Sequence, residues 1–70
     1  MEHHTEFSSS NVARISYESS SSTLEVEFLN GSIYQYYNVS ENVWEDFKSA
    51  GSKGQFIHQH LKGQYRYARV

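Results

Sequence analysis

The chain contains no cysteine. No disulfide can brace it, and no tetrahedral thiolate zinc site can form. A reducing, cytoplasmic setting is therefore the expectation. No apolar run approaches 18 residues and no signal peptide opens the chain, so a soluble protein without a membrane partner is expected. Catalytic signatures are missing as well. There is no cysteine nucleophile, no phosphate-cradling glycine loop and no Glu-His spacing of a hydrolytic metal site. Glu25 and Glu27 share one strand face, but carboxylates at alternate strand positions are commonly solvated. The expectation is a chain that is not an enzyme, with no catalytic residue, no cofactor and no metal. Size points the same way. Seventy residues make one domain at most. A chain this short buries only about 60% of the surface that its unfolded form exposes, and leaves little volume for a pocket.

What is abundant is aromatic: 16% of residues. Bulky rings let a small core fill its volume with few side chains. The strongest pattern is Thr23–Tyr37, TLEVEFLNGSIYQYY. Leu24, Val26 and Phe28 alternate with Glu25 and Glu27, the period of a half-buried strand. Asn30 and Gly31 tolerate the positive φ of a reversal. Ile33, Tyr34, Tyr36 and Tyr37 then suit a second strand. Two registers are open. A two-residue loop, Asn30-Gly31, would pair Phe28 with Ile33 and Val26 with Gln35. A three-residue loop, Leu29-Asn30-Gly31, with Gly31 as a left-handed bulge residue, would pair Val26 with Tyr34 and Leu24 with Tyr36. The one-residue difference flips every side chain of the second strand. The longer loop is preferred, because it sets two tyrosines opposite the apolar face and leaves Gln35 beside Glu25 and Glu27.

Residues 1–11 are polar and read as a flexible lead-in with no packing role. His3 and His4 are adjacent but have no partner ligand at a metal-site spacing. Val12–Glu18 reads as the first strand, with Ala13, Ile15 and Tyr17 toward the core and Arg14 and Ser16 outward. Four serines, Ser19–Ser22, mark the loop that follows. Beyond the hairpin, Ser40 is placed to cap a helix, with Val39 and Trp44 spaced as a hydrophobic staple. Val43, Trp44, Phe47 and Ala50 form its apolar stripe. Lys48 near the end and Gly51 just past it suit a stop. Ser52-Lys53-Gly54-Gln55 fits a capping box for a second helix, with Phe56, Ile57, His60 and Leu61 on one face and Gly63 at its end. Gln64–Val70 is either a short extra strand or a frayed end. The fold class expected is α+β: a three-stranded antiparallel β-meander followed by two helices on one face, with residues 12–67 as the single domain and 68–70 as a tail.

In their order along the chain, these elements resemble the KTSC domain. This short family occurs alone in bacterial proteins and at the carboxyl end of some lysyl-tRNA synthetases. The resemblance rests on Ile15-x-Tyr17, Leu24-x-Val26-x-Phe28, Gly31, Tyr34-Gln35-Tyr36, Val39, Ala50, Ser52-x-Gly54, Phe56-Ile57-His58 and Leu61-Lys62-x-x-Tyr65, roughly residues 9–67. The family often has proline after the valine, where this chain has Ser40; both suit a helix start. No activity comes with the resemblance. The company of a tRNA synthetase implies RNA binding, which fold analogy cannot decide.

Charge gives a second pointer to RNA. Residues 1–46 carry all eight acids against Arg14 alone, and residues 47–70 carry five cations and no acid. Lys53, Lys62, Arg66 and Arg69 would neutralise phosphates, and Tyr65 and Tyr67 would offer planar faces between the arginines. In an overall acidic chain such binding would be weak and salt-sensitive. The plain alternative is a solvated basic face. Tyr34 and Tyr36 could also form a stacking platform, but in a small core the expectation is that both rings pack under the helices. Ser52-Lys53-Gly54 could hold an anion on free amides; the ordinary reading is a cap, with Gly54 required for close packing. The function expected is a small non-catalytic binding module, monomeric, with RNA as partner. The alternative is a protein-interaction adaptor using the first strand edge or the Tyr37 face.

Overall fold

The computed structural model describes residues 1–70. Five strands form one antiparallel sheet in sequence order: β1 (Glu2–His4), β2 (Val12–Glu18), β3 (Thr23–Phe28), β4 (Ile33–Tyr36) and β5 (Tyr67–Arg69). Helix α1 spans Glu41–Ser49. Helix α2 spans Lys53–Phe56 and widens into a π-helical turn over Ile57–Leu61. The class is α+β as expected, but the meander gains a strand at each end.

The β3–β4 register is that of the three-residue loop. Val26 stands opposite Tyr34 and Leu24 opposite Tyr36. The Gly31 N–H closes the turn on the Phe28 carbonyl at 3.0 Å, and Gly31 takes φ +92°, a conformation open chiefly to glycine. On the outer face the Gln35 amide donates to Glu25 at 2.9 Å, and Arg14 pairs with Glu27 at 2.9 Å.

In β2 the expected alternation breaks at Ala13. Val12 pairs with Phe28 and Arg14 with Glu27, so Ala13 is the extra residue of a bulge. Val12, not Ala13, is therefore buried beside Ile15 and Tyr17. Ser16 faces outward, yet it is only 1% exposed, because β1 lies alongside and His3 Nδ1 meets its hydroxyl at 2.7 Å.

The sheet's inner face meets the helices through one core of Val12, Ile15, Tyr17, Leu24, Val26 and Tyr36 below and Trp44, Phe47, Ile57 and Leu61 above. Tyr17 stacks on Trp44 with centroids 5.6 Å apart, and its hydroxyl donates to the Val39 carbonyl at 2.6 Å. Val39 also donates its N–H to Ser22 at 2.9 Å, so the residue joining sheet to helix is pinned on both sides. Ser40 accepts from Val43 as the N-cap of α1, and Ser52 accepts from Gln55 as that of α2. The π turn closes with the Lys62 N–H on the Ile57 carbonyl at 2.8 Å, and Gly63 at φ +80° ends it.

Residues 1–11 are not the loose lead-in expected of them. Glu2 on β1 accepts from Lys48 of α1 at 2.8 Å, and Phe7 packs against the core. The Lys48 ammonium holds the Glu2 carboxyl below its usual range. The Trp44 indole N–H helps, although it completes no full hydrogen bond. The free edge of β2 expected for an adaptor is consequently occupied. The tail is ordered too: Tyr36 faces Tyr67 and Tyr34 faces Arg69 across the β4–β5 pair.

Two outcomes follow. Trp44→Ala should cost about 3–5 kcal/mol, enough to unfold a domain this small, whereas half-buried Phe28→Ala should cost roughly 1–2 kcal/mol. Equal shifts in urea midpoint would contradict that ranking. The folded carboxyl of Glu2 has the lowered pKa, so its pairing supports β1 above pH 4.5 and is lost as pH falls through the folded value. The protection factors of the amides of residues 2–4, which correct for the slower intrinsic exchange in acid, should therefore fall on acidification and in Lys48→Ala, while β3 stays protected. Unchanged exchange in Lys48→Ala would show that the pairing does not hold the strand.

Candidate nucleic-acid interface

The expected interface residues divide into three groups. Lys53 leaves it altogether. Gly51 and Ser52 turn the chain so that Lys53 comes back beneath the end of α1, where it is only 4% exposed. The last carbonyls of a helix lack intrahelical partners, and its carboxyl end favours a cation. Lys53 Nζ supplies both needs, donating to Lys48 O at 3.0 Å and Ala50 O at 2.7 Å. It also lies 5.2 Å over the Phe7 ring. Burial pushes its pKa below the usual lysine range. It is a structural cap and has no face left for phosphate. The sequence signal was faint: a lysine three residues past Ala50 reads equally well as a surface charge.

Tyr65 leaves the interface for another reason. It is half-buried against the core and lines a separate groove of about 710 Å³ with Phe56, His60 and Asp46. That groove contains a carboxylate and no lysine or arginine. Ser52 is likewise committed, its hydroxyl accepting from Gln55 at 3.2 Å. His58 and His60 are both exposed, and His60 lies over Phe56 at 4.5 Å rather than bordering the core.

Lys62, Arg66, Tyr67 and Arg69 remain. All four are exposed, and none of the three cations makes an ion pair. Arg14 and Lys48 are the cations bound to carboxylates. Tyr67 is 59% exposed, with its ring 5.9 Å from Tyr34 and 5.8 Å from Tyr36. Residues directly opposite in an antiparallel pair share a face, so Arg69 rises on the same side as Tyr34. The two family tyrosines do not behave alike. Tyr36 is buried as expected, and burial raises its pKa. Tyr34 is half-buried, edge-on to Phe28 at 5.7 Å. Together with Tyr67 they form one wall of a cleft of about 510 Å³, and Gly54, His58 and Lys62 stand on its helical side. Strand β5 thus unites two sets of residues that the sequence kept apart.

Gly54 also differs from expectation. A Cβ there would meet Asn11 Nδ2 at 3.9 Å, an ordinary contact, so packing does not demand glycine.

Ser16 and His3 are bonded, but the hydroxyl is sealed from solvent. Glu25 and Glu27 are occupied by Gln35 and Arg14. No three His, Asp or Glu side chains group closely enough to hold a metal ion. No helix is long and apolar enough to cross a membrane.

Comparison with known proteins agrees with this architecture. The family model for the KTSC domain matches residues 8–65. A lysine–tRNA ligase of Trichormus variabilis is 43% identical over 54 residues, which are 77% of this chain and 10% of the ligase. The chain thus spans about a tenth of the length of the ligases it matches. An uncharacterized protein of Stutzerimonas stutzeri is 36% identical over 63 residues, 89% of each chain. The crystal structure of a KTSC domain protein from Yersinia pestis superposes with a TM-score of 0.85 at 33% identity, covering 97% of both chains.

The burial of Lys53 has a readable consequence at alkaline pH. Its folded pKa lies below the 10.5 of the open chain, so between the two values only the unfolded chain keeps the proton. Stability from this group therefore rises with pH up to about 10.5. Lys53→Met keeps the stem and removes the titration. Urea midpoints of the native protein should gain on those of the variant as pH climbs toward 10.5. Parallel curves would contradict the buried ammonium.

Proposed function

This chain belongs to the KTSC domain family, and we propose that it is a small non-catalytic module of the bacterial cytoplasm that binds single-stranded RNA. The observation that carries the reading is the sorting of its cations. Lys62, Arg66 and Arg69 alone are both exposed and without a carboxylate partner, and all lie near the exposed ring of Tyr67 in sequence. Phosphate neutralisation beside an aromatic face is how single-strand binders work without reading a fixed sequence. Relatives named as lysine–tRNA ligases contain a matching segment, which supports an RNA partner. The surface opposed to this one carries Glu25 and Glu27 and would repel phosphate.

Titration with single-stranded and tRNA-like RNA tests the reading. Amide shifts should saturate at Lys62, Arg66, Tyr67 and Arg69, and leave β1 and the Glu25–Glu27 face of the sheet unmoved. Three phosphate contacts on a single strand give a log–log salt slope of about −2, so affinity should fall roughly 20-fold between 50 and 200 mM salt. An absence of saturable shifts at low salt would overturn RNA binding. Salt-insensitive capture of a protein would favour an adaptor instead.

A further inference from the structure

We propose that the cleft between β4–β5 and the α2 segment takes the base of one unpaired nucleotide, laid on Tyr67, with its phosphate on Lys62. This rests on the RNA reading above and deepens it by naming what the site holds. A volume of about 510 Å³ falls within the span of small-ligand sites, about 300–1,000 Å³. Its aromatic wall is not closed: Tyr67 is 59% exposed while its ring lies 5.9 Å from that of Tyr34 and 5.8 Å from that of Tyr36, so a flat ring is packed along one side and left uncovered on the other. Such a plate suits a π-face.

Polar groups stand where a ring edge would meet them. Asn11, Asn30 and Ser32 line the same cleft. The Asn11 side chain makes no hydrogen bond within the fold. Asn30 uses Oδ1 for the Ser32 N–H at 3.0 Å, which leaves its amide nitrogen free to donate. Charge selects the remainder of the ligand. No aspartate or glutamate lines the cleft, Lys62 and His58 stand on one side, and Arg69 rises beside Tyr34 on the other. A flat apolar plate, unspent amide donors and a cation free of carboxylates are together the chemistry of a nucleotide. Gly54 fits this assignment. Packing leaves room for a Cβ there, and glycine in a helix costs about 1 kcal/mol relative to alanine, so the bare position keeps the wall open rather than the fold intact.

The test uses the whole chain and a short single-stranded RNA, the same RNA made abasic, and two fragments, adenosine monophosphate and ribose 5-phosphate. The intact strand should bind at least about tenfold more tightly than the abasic one, with the same salt slope. Tyr67→Ala and Gly54→Leu should each lower affinity for the intact strand by a similar factor and leave abasic binding unchanged. A Cβ at Gly54 meets only an ordinary contact, so Gly54→Ala should keep the melting temperature, and that of Gly54→Leu is measured beside it so that its lost affinity counts as blocking only where the fold holds. Equal binding of intact and abasic RNA would overturn the base site while RNA binding stands. If neither strand binds at low salt, RNA binding fails, and the fragments decide the cleft: saturable shifts at Asn30, Tyr34 and Tyr67 with adenosine monophosphate alone support a base site. No such shifts, or the same shifts with ribose 5-phosphate, overturn it.

Discussion

The parity of β4 governs this molecule. A strand's side chains alternate, so one residue more or less in the loop before it exchanges its two faces. Gly31, at φ +92°, lets a three-residue loop close and so places Tyr34 and Tyr36 on the helical side. From that follow the burial of Tyr36 in the core, the half-exposed Tyr34, and the Gln35–Glu25 bond on the outer face. The opposite parity would set both tyrosines among carboxylates and leave the core short of a ring.

The core that results is braced by rings and by joints at the chain's turns. Tyr17 illustrates both, stacking on Trp44 while its hydroxyl holds Val39 at the entrance to α1. At the other end of α1, Lys53 meets two carbonyls and Lys48 reaches Glu2 on β1. Two lysines that look alike in sequence thereby do different work at the same end of α1: one is buried beneath the helix, the other ties the first strand to it. Their pKa values move in opposite directions, Lys53 down through burial and Lys48 up through its hydrogen bonds to Glu2 and Glu45.

These structural duties leave a short inventory for binding. Three of the six cations are spent on pairing or capping, and the three that are not all lie between residues 62 and 69. Strand β5 carries part of this set to the sheet edge beside Tyr34. The positive end of the sequence and the tyrosine pair, separate features along the chain, become neighbouring parts of one surface because an antiparallel partner at β4 brings them into register.

The sequence by itself determined the parts whose signal is local and repeated. Alternation over Leu24–Phe28, the Asn-Gly turn, the Ser40 and Ser52 caps and the apolar stripe of α1 each rest on residues a few positions apart, where backbone geometry alone imposes the spacing. It did not determine β1 or β5. Three-residue strands carry too few alternations to register as a period, and β1 pairs with β2 and reaches α1 through a salt bridge spanning 46 positions. The bulge at Ala13 and the burial of Lys53 were likewise decided by partners distant in the chain. So was the cleft, because a concave surface exists only where separate elements meet, and the identity of a residue does not say which of its neighbours will arrive there.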